Sequence, residues 1–558
     1  MSCCALFFDE SHLFTMNKTT LLLFILAVSL SVSANPRKKA EMRRIAQAAI
    51  MQQEVELLDE QEGYCVYGSN KGFAVVSRMD SHTPVLAYSA SPYDKDNMPC
   101  GMKWWLSAIN ASLSVSGQSQ DVDGFTPEVV APLLKTTWGQ QSPFNEKSPV
   151  VNNAKAPTGC VATAMSQILN FYQYPAQGQG IGYYTMGDNS YRQMVEVNST
   201  YRWDLMKNSY ASAWFLTDEE KDAISQLMFD AGVSSHMNFS TGGSGTTSYE
   251  AANGFSHIFQ FDSLAMKCVL RNYCQSDAEW MSIILSELKA SRPVLMCGVD
   301  LTSGGHAFVI DGMDANGFVH VNWGWNGQAD GYYNLADLNP TGILGGSTTM
   351  HFNAEQSIIT NLRCNPMPAA DAVYHSTWVI SAEDNLIANE VNGLTLSSPD
   401  GILWQVSHLT FYGKVGLAFL DENGNEVFFH TFFDTSDKAS HFSPLDGGVG
   451  YQASYFSNIS TADLQSLPAG TYRVFLASKA IQEETPQFIC YPGGNHKEYI
   501  VTKNADYTLS VKTAETSGIQ APDTATPDNT SLYDLQGRRI DSPRKGIYIQ
   551  NGRKVVVN

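Results

Sequence analysis

The sequence predicts an α+β protein built from several units. Its 558 residues exceed what one ordinary hydrophobic core holds, so we expect three or four units. Apolar residues make up 43% of the chain and charged residues 16%, a balance that is typical of globular proteins. In the middle of the chain helical patterns come first and strand patterns follow. This order favours helices that pack beside an antiparallel sheet.

The first 34 residues have the pattern of a secretory signal. The run from Met16 begins with Asn17 and Lys18, continues through an apolar stretch and closes on small residues at Ala34. The acidic residues before Met16 do not suit a signal, so Met16 is the expected start. No later run contains the roughly eighteen apolar residues that cross a bilayer. The mature chain is therefore expected to be secreted, without a membrane span.

Residues 35–126 are predicted to form a compact α+β unit of their own. The first part, 35 to about 60, is charged and helical in pattern, and residues 103–106 open another helix. Period-two alternation around turns predicts antiparallel strands at 65–67, 72–77 and 84–88. This whole unit precedes the candidate nucleophile, which is described next, as a pro-segment would.

Residues 127–363 are predicted to hold the reactive groups. A glycine-broken loop leads into a helix at Cys160, and apolar residues then recur at spacings of three and four until Pro175. Further helices are predicted near 219–231 and 279–290. Strands are predicted at 293–297, 306–310, 317–322 and 331–335.

Cys160 is the candidate nucleophile because it stands in the first turn of its helix. Unpaired amides and the helix dipole favour the thiolate there, and the thiolate is the reactive form. His306 follows two glycines at the start of a strand, 146 residues after Cys160. An imidazole at this place can act as the base of a thiol nucleophile.

Asn322 and Trp323 are candidates to orient that base. Asn322 ends the next strand, 16 residues after His306, so its amide oxygen is expected to reach the imidazole. Trp323 is expected to shield that hydrogen bond. Gln140 lies twenty residues before Cys160 and has the side-chain amide that an oxyanion hole needs, although spacing alone leaves Gln141 as a competitor.

The rest of the chain is predicted to be rich in β-structure. Short strands and turns over 366–512 indicate a β-sandwich-like accessory domain. Residues 513–529, rich in Thr, Ala, Pro and Asp, read as a linker, and 530–558 form a hairpin-rich tail. The turn at 421–425 lacks the spacing of a calcium loop.

Charge and cysteine usage exclude several classes of function. A net charge of −20 argues against nucleic-acid binding. The glycine-rich loop at 241–246 lacks the lysine of a phosphate loop. No paired metal-ligand spacing is present, so we expect neither a metal nor a cofactor. Pairing among Cys268, Cys274 and Cys297 stays open.

Three segments, 158–164, 304–312 and 320–325, resemble the streptopain family of bacterial cysteine peptidases. The resemblance covers about residues 40–362 and implies a papain-like two-lobed catalytic domain behind an inhibitory pro-domain that ends near 126. It implies that the active site consists of the nucleophile Cys160, the base His306, the oxyanion residue Gln140, the residues Asn322 and Trp323 that position and shield the base, and the cleft residues Ser244 and Gly305.

The tail, 532–557, resembles the C-terminal sorting domains of proteins that Bacteroidota export by the type IX route. That resemblance implies the type IX secretion machinery as a partner and a location outside the cell or on its surface.

The function predicted from the sequence is a secreted endopeptidase zymogen that cleaves host or environmental proteins and is inhibited by its own pro-domain. One alternative is that 366–512 is an adhesin or a haem-protein-binding module that proteolysis serves. Another is that the same Cys, His and Asn residues carry out transamidation or hydrolysis of small amides.

Overall fold

A computed structural model describes most of the chain between residues 35 and 514. The described residues are 35–115, 122, 124–211, 215–300, 304–335, 356–364, 378–389, 393–398, 401–436, 450–452 and 458–514, with the backbone of four short strands between 532 and 557. The predicted signal and most of the predicted linker lie outside these residues. No helix among them is long and apolar enough to cross a bilayer.

The N-terminal unit packs two helices against a four-stranded antiparallel sheet. Its elements are α1 (Lys39–Ala49), β1 (Glu56–Glu60), β2 (Tyr64–Ser69), β3 (Gly72–Ser77), β4 (Val85–Ser89) and α2 (Cys100–Val115). Strands β2 and β3 are almost entirely buried. The helical prediction over 35–60 is wrong at its end, because residues 56–60 form β1, a mostly exposed and charged edge strand.

In its described residues the central unit has four α-helices beside a sheet, as the order of patterns predicts. The helices are α3 (Cys160–Tyr172), α4 (Asp218–Ser234), α5 (Ser248–His257) and α6 (Asp277–Lys289). The strands are β5 (Val150–Val151), β6 (Ala154–Lys155), β7 (Gly180–Met186), β8 (Asn189–Val197), β9 (Asn238–Phe239), β10 (Lys267–Leu270), β11 (Val294–Asp300), β12 (Gly304–Met313), β13 (Val319–Asn322), β14 (Gly331–Tyr333) and β15 (Ser357–Thr360).

One continuous sheet joins the N-terminal and central units. Its ten strands run in the order β1-β2-β3-β4-β14-β13-β12-β11-β15-β10, so β4 of the N-terminal unit adds to β14 at the edge of the central sheet. Tyr332 lies opposite Tyr88 in this antiparallel pairing, and their rings stack with centroids 5.1 Å apart. The N-terminal unit is thus docked by main-chain pairing and by side-chain contacts.

Two apolar cores fill the central unit. One contains the apolar faces of α3, α4 and α5. The other is shared with the N-terminal unit, because Trp104 and Trp105 of α2 pack with Phe308, Trp323 and Tyr333 of the sheet. Helix α2 therefore contributes to the core beneath the strands that carry the predicted site.

The C-terminal region is β-rich and has a separate apolar core. Its strands are β16 (Trp378–Ile380), β17 (Asn385–Ala388), β18 (Leu394–Ser397), β19 (Ile402–Gln405), β20 (Gly413–Leu420), β21 (Glu426–Asp434), β22 (Gly450–Gln452), β23 (Asn458–Ile459), β24 (Gly470–Ala480), β25 (Gln487–Phe488), β26 (Tyr499–Lys503) and β27 (Leu509–Thr513). Val379 and Val406 reach into the core of α3 to α5, so this region packs against the central unit.

A small four-stranded sheet ends the chain. It consists of β28 (Leu532–Tyr533), β29 (Arg539–Ile540), β30 (Gly546–Gln550) and β31 (Arg553–Val557), in the order β29-β28-β30-β31. The hairpin between β30 and β31 agrees with the hairpin-rich tail that the sequence predicts.

Candidate active site

A loop with a glycine at positive φ leads into α3 and places Cys160 in its first turn. Gly159 has φ of 89°, and a Cβ added to it would lie 2.8 Å from the carbonyl oxygen of Ser244, so only glycine fits there. The hydroxyl of Thr163 donates to the carbonyl of Gly159 at 3.0 Å. These contacts fix the turn from which the helix begins.

The thiol of Cys160 faces the strand that carries His306. The backbone N–H of Ala307, the next residue after His306, donates to Sγ of Cys160 at 3.3 Å. Burial raises the pKa of Cys160, and backbone N–H groups of Ala307, Val161 and Cys160 itself act in the opposite direction. Helix position alone therefore does not make this cysteine a thiolate here, because loss of solvent outweighs the amide contacts.

Cys160 and His306 line one cavity of about 200 Å³. It lies between the N-terminus of α3, the N-terminus of α5 and strands β11 and β12. Its other lining residues are Val161, Gly245, Thr246, Thr247, Ser248, Tyr249, Leu270, Cys297, Gly298, Gly305, Ala307 and Ser357. A nucleophile and a base on the wall of one cleft are the minimum that acyl transfer needs.

Asn322 does not hydrogen-bond to His306 in the described structure. Its amide oxygen accepts from Nε2 of Gln167 at 2.9 Å and from the backbone N–H of Gly324 at 3.0 Å. Its amide nitrogen donates to the carbonyl of Thr136 at 2.7 Å. The contact predicted from the strand spacing is therefore replaced by contacts to α3 and to the segment before it.

Trp323 lies beneath the N-terminal unit. Its ring packs on Phe308 and Tyr333 with centroid distances of 4.7 and 5.0 Å. A Cβ added to Gly101 of α2 would lie 2.6 Å from this ring and 3.8 Å from Cβ of His306. The start of α2 therefore reaches the side of the base, and Trp323 is covered by it.

Gln140 and Gln141 differ in their surroundings. Gln140 is partly buried, and its carbonyl accepts from the N–H of Thr158, two residues before the nucleophile, at 3.0 Å. Gln141 is exposed. The segment of Gln140 is thus tied to the loop of Cys160, although the amide of Gln140 is not part of the cavity lining. Its oxyanion role stays a prediction.

The two predicted cleft residues have different places. Gly305 lines the cavity. Ser244 lies behind it, where its hydroxyl donates to the carbonyl of Pro157 at 2.7 Å and accepts from the N–H of Ser240. Ser244 therefore supports the loop of Cys160, while the residues directly after it line the cleft. Substrate binding by either residue stays a prediction.

His320 belongs to a second polar group on the sheet. Its Nδ1 lies 2.6 Å from Oδ1 of the fully buried Asp311, and the ring meets Tyr332 edge-on.

The other described cysteines, including Cys268, Cys274 and Cys297, are free thiols. Cys100, at the start of α2, has a pKa raised to about 11 by burial and by the charge of Cys160.

The sequence did not predict two neighbours of the candidate site. Gln167 is completely buried between Asn322 and Thr136. Its signal was a lone amide among the apolar residues of α3. Helix α5 was also missed, although Thr247 and Glu250 have the spacing of a helix start and the hydroxyl of Thr247 accepts from the N–H of Glu250.

Comparisons with known proteins assign this site to a family. The Peptidase C10 family model matches residues 138–333, and a Spi protease inhibitor model matches residues 33–113. Streptopain from Streptococcus pyogenes is 30% identical over 319 residues, which cover 53% of this chain and 79% of streptopain. The chain belongs to the peptidase C10 family. It is a cysteine-type peptidase with an inhibitor-like domain in front of it, as in a zymogen.

Two other C10 relatives agree with this assignment. Thiol protease/hemagglutinin PrtT from Porphyromonas gingivalis is 28% identical over 374 residues, but the match covers only 42% of PrtT and 63% of this chain. The structure of a prointerpain A fragment from Prevotella intermedia is 35% identical, with a TM-score of 0.50, and the match covers 99% of that fragment and 56% of this chain. The match thus spans nearly the whole length of the prointerpain A fragment.

Proposed function

We propose that this C10 peptidase is an endopeptidase in which Cys160 is the nucleophile and His306 the general base. The observation that carries the proposal is the shared cavity, where the N–H beside His306 contacts the sulfur of Cys160. The Cys160 thiolate attacks a peptide carbonyl, and His306 protonates the leaving amine. Water then hydrolyses the thioester with His306 as base. The N–H of Cys160 and the amide of Gln140 stabilise the oxyanion.

The N-terminal unit keeps this site inactive until it is removed. Its helix α2 covers Trp323 and approaches His306 through Gly101. Val130 exchanges two main-chain hydrogen bonds with Met313, and Leu134 donates to the carboxylate of Asp311. Because residues from Val130 onward are anchored to the central sheet, a cut near residue 126 severs the pro-domain from the central unit and leaves the mature N-terminus in place.

The proposed function includes export of the protein from the cell. The signal pattern over 1–34 and the resemblance of 532–557 to type IX sorting domains support secretion across both membranes, to the medium or to the cell surface. The physiological substrates are proposed to be host or environmental proteins. A binding role of the β-rich region, as an adhesin or a haem-protein-binding module, stays a prediction from sequence.

We expect purified precursor to process itself and to cleave casein at internal peptide bonds. N-terminal sequencing and intact mass should place the first cut near residue 126 and show whether the tail is removed. Free glutamine and other small amides serve as parallel substrates in the same preparation. Turnover of those amides without any internal cleavage of casein would replace the endopeptidase with an amidase or a transamidase.

Gln140→Ala should lower kcat about 100-fold and leave KM nearly unchanged, because an oxyanion donor acts mainly in the transition state. Gln141→Ala is the matched control, since this neighbouring amide is exposed. Steady-state kinetics of the processed enzymes on one peptide substrate checks both variants. Equal losses in the two variants would remove Gln140 from the oxyanion hole.

A further inference from the structure

Gln167, Asn322 and Thr136 form a closed ring of hydrogen bonds next to the active site. Nε2 of Gln167 donates to Oδ1 of Asn322 at 2.9 Å, and Oε1 of Gln167 accepts from the hydroxyl of Thr136 at 2.8 Å. Nδ2 of Asn322 donates to the carbonyl of Thr136 at 2.7 Å, which closes the ring. Each side chain thus contacts both of the others or their backbone.

The ring is buried, and the side-chain polar atoms in it have hydrogen-bond partners. Thr136 and Asn322 are 4% exposed, and Gln167 is 0% exposed. Oδ1 of Asn322 also accepts from the N–H of Gly324, so two donors hold this one oxygen. A buried amide bound from both sides has one stable orientation, because turning it over would bring oxygen against oxygen. Gln167 therefore fixes the orientation of Asn322 together with the N–H of Gly324 and the carbonyl of Thr136.

The ring joins α3, which carries Cys160, to β13, the strand that pairs with the strand of His306. Gln167 lies on α3 seven residues after Cys160, two helical turns along the same face. Asn322 ends β13, and it is the register partner of Val309 on β12, the strand of His306. Thr136 belongs to the segment that leads from the predicted processing region into the site. A shift of the ring would move the nucleophile helix against the strand of the base.

We propose that Gln167 is a positioning residue of the peptidase reaction, which holds Asn322 and thereby keeps strands β12 and β13 aligned with the helix of Cys160. It contacts neither the thiol nor the cavity and acts through Asn322. This inference rests on the proposed function of Cys160 and His306. It goes further in assigning a role to a buried amide that serves no step of the reaction directly.

Gln167→Met tests the role, because methionine keeps the volume of the side chain and removes its hydrogen bonds. We expect kcat per titratable active site to fall about 10- to 100-fold, with KM within about twofold of wild type, since a small displacement of reacting groups affects the transition state most. Active sites are counted by alkylation of Cys160. The matched control is Ser166→Ala, a buried position on the same helix that is expected to keep wild-type kcat.

A double-mutant cycle separates positioning from simple stabilisation. If Gln167 acts through Asn322, Gln167→Met should cost little further kcat when it is added to Asn322→Ala. The role would be overturned if the losses of kcat from Gln167→Met and Asn322→Ala are additive. It would also be overturned if Gln167→Met has the same kcat per active site as Ser166→Ala.

A second variant decides the question if Gln167→Met does not fold. Thr136→Val removes only the hydroxyl that anchors Gln167, and we expect a three- to tenfold loss of kcat from it, coupled in the same way to Asn322→Ala. The role is overturned if Thr136→Val keeps the wild-type kcat, or if its loss of kcat is independent of Asn322→Ala. Failure of the proposed function looks different, because the wild-type chain itself would then cleave no peptide.

Discussion

Cys160→Ala should leave the precursor uncut and lower peptide hydrolysis by about 10⁴-fold or more. Removal of a nucleophile abolishes covalent catalysis, and the remaining donors bind the substrate without a path to the thioester. Ala307 loses only the sulfur that its N–H contacts, and α3 keeps its apolar packing, so the fold should persist. Gel analysis of the precursor over time and hydrolysis of a peptide substrate measure the two effects.

Cys268→Ala is the matched control for this variant. Cys268 is a buried free thiol on β10 and does not line the cavity. We expect it to process itself and to cleave substrate as wild type does, with a modest loss of thermal stability from the smaller side chain. Self-processing by Cys160→Ala at the wild-type rate would contradict the assignment of the nucleophile.

The places of Cys160 at a helix start and of His306 on a strand could be predicted because local sequence marks both of them. A glycine before Cys160 and the apolar run after it specify a tight turn into a helix, and the structure has this turn with Gly159 at positive φ. Gly305, directly before His306, lines the cavity. Such signals lie within a few residues of the group concerned, so one sequence contains them.

The orientation of Asn322 could not be predicted because it depends on two distant partners. Asn322 ends the strand that pairs with the strand of His306, but its amide hydrogen-bonds to Gln167 and Thr136, which lie 155 and 186 residues earlier. The packing of these distant segments decides which hydrogen bonds the amide of Asn322 makes. The same limit applies to Gly101 and Trp104, since nothing near them in sequence shows that α2 lies against Trp323 and Gly298.

Several elements were missed for local reasons. Most residues of β7 are half-buried, so the strand lacks the contrast between a buried and an exposed face that an alternating pattern needs. Helix α5 follows a glycine-rich loop, which hides its capping residue Thr247. The acidic strand β1 reads as helix because it has few apolar residues to set a period of two. Strand β1 was missed because most of it faces solvent, whereas α5 is largely buried and was missed because of the loop before it.

Trp104→Ala should allow the precursor to act before it is cut. Trp104 is 4% exposed, and its ring lies on Gly298, where an added Cβ would come within 2.6 Å of it. Gly298 lines the cavity and is the register partner of His306. Truncating a buried tryptophan costs about 3–5 kcal/mol. Because this ring lies between the two units, we expect the loss to weaken their docking by about 10²- to 10³-fold.

The effect should be local to α2, because the N-terminal unit is held in two separate places. Main-chain pairing of β4 with β14, and the hydroxyl of Tyr88 on Asp314, hold the sheet side and do not involve Trp104. On the other side, α2 alone places Gly101 against Trp323. Loss of Trp104 should therefore uncover the side of His306 that Gly101 approaches, while the sheet remains joined. Activity on a short peptide should then appear without the lag that self-processing imposes.

Lys103→Ala is the matched control, since Lys103 is the exposed neighbour of Trp104 on the same helix. The measurement is the time course of peptide hydrolysis beside the time course of precursor cleavage, with thermal unfolding to confirm that both variants fold. An equal lag in the two variants would show that Trp104 only stabilises the pro-domain. If the lag is lost while the chain is still intact, inhibition depends on the α2 contact and removal of the pro-domain serves to make that release permanent.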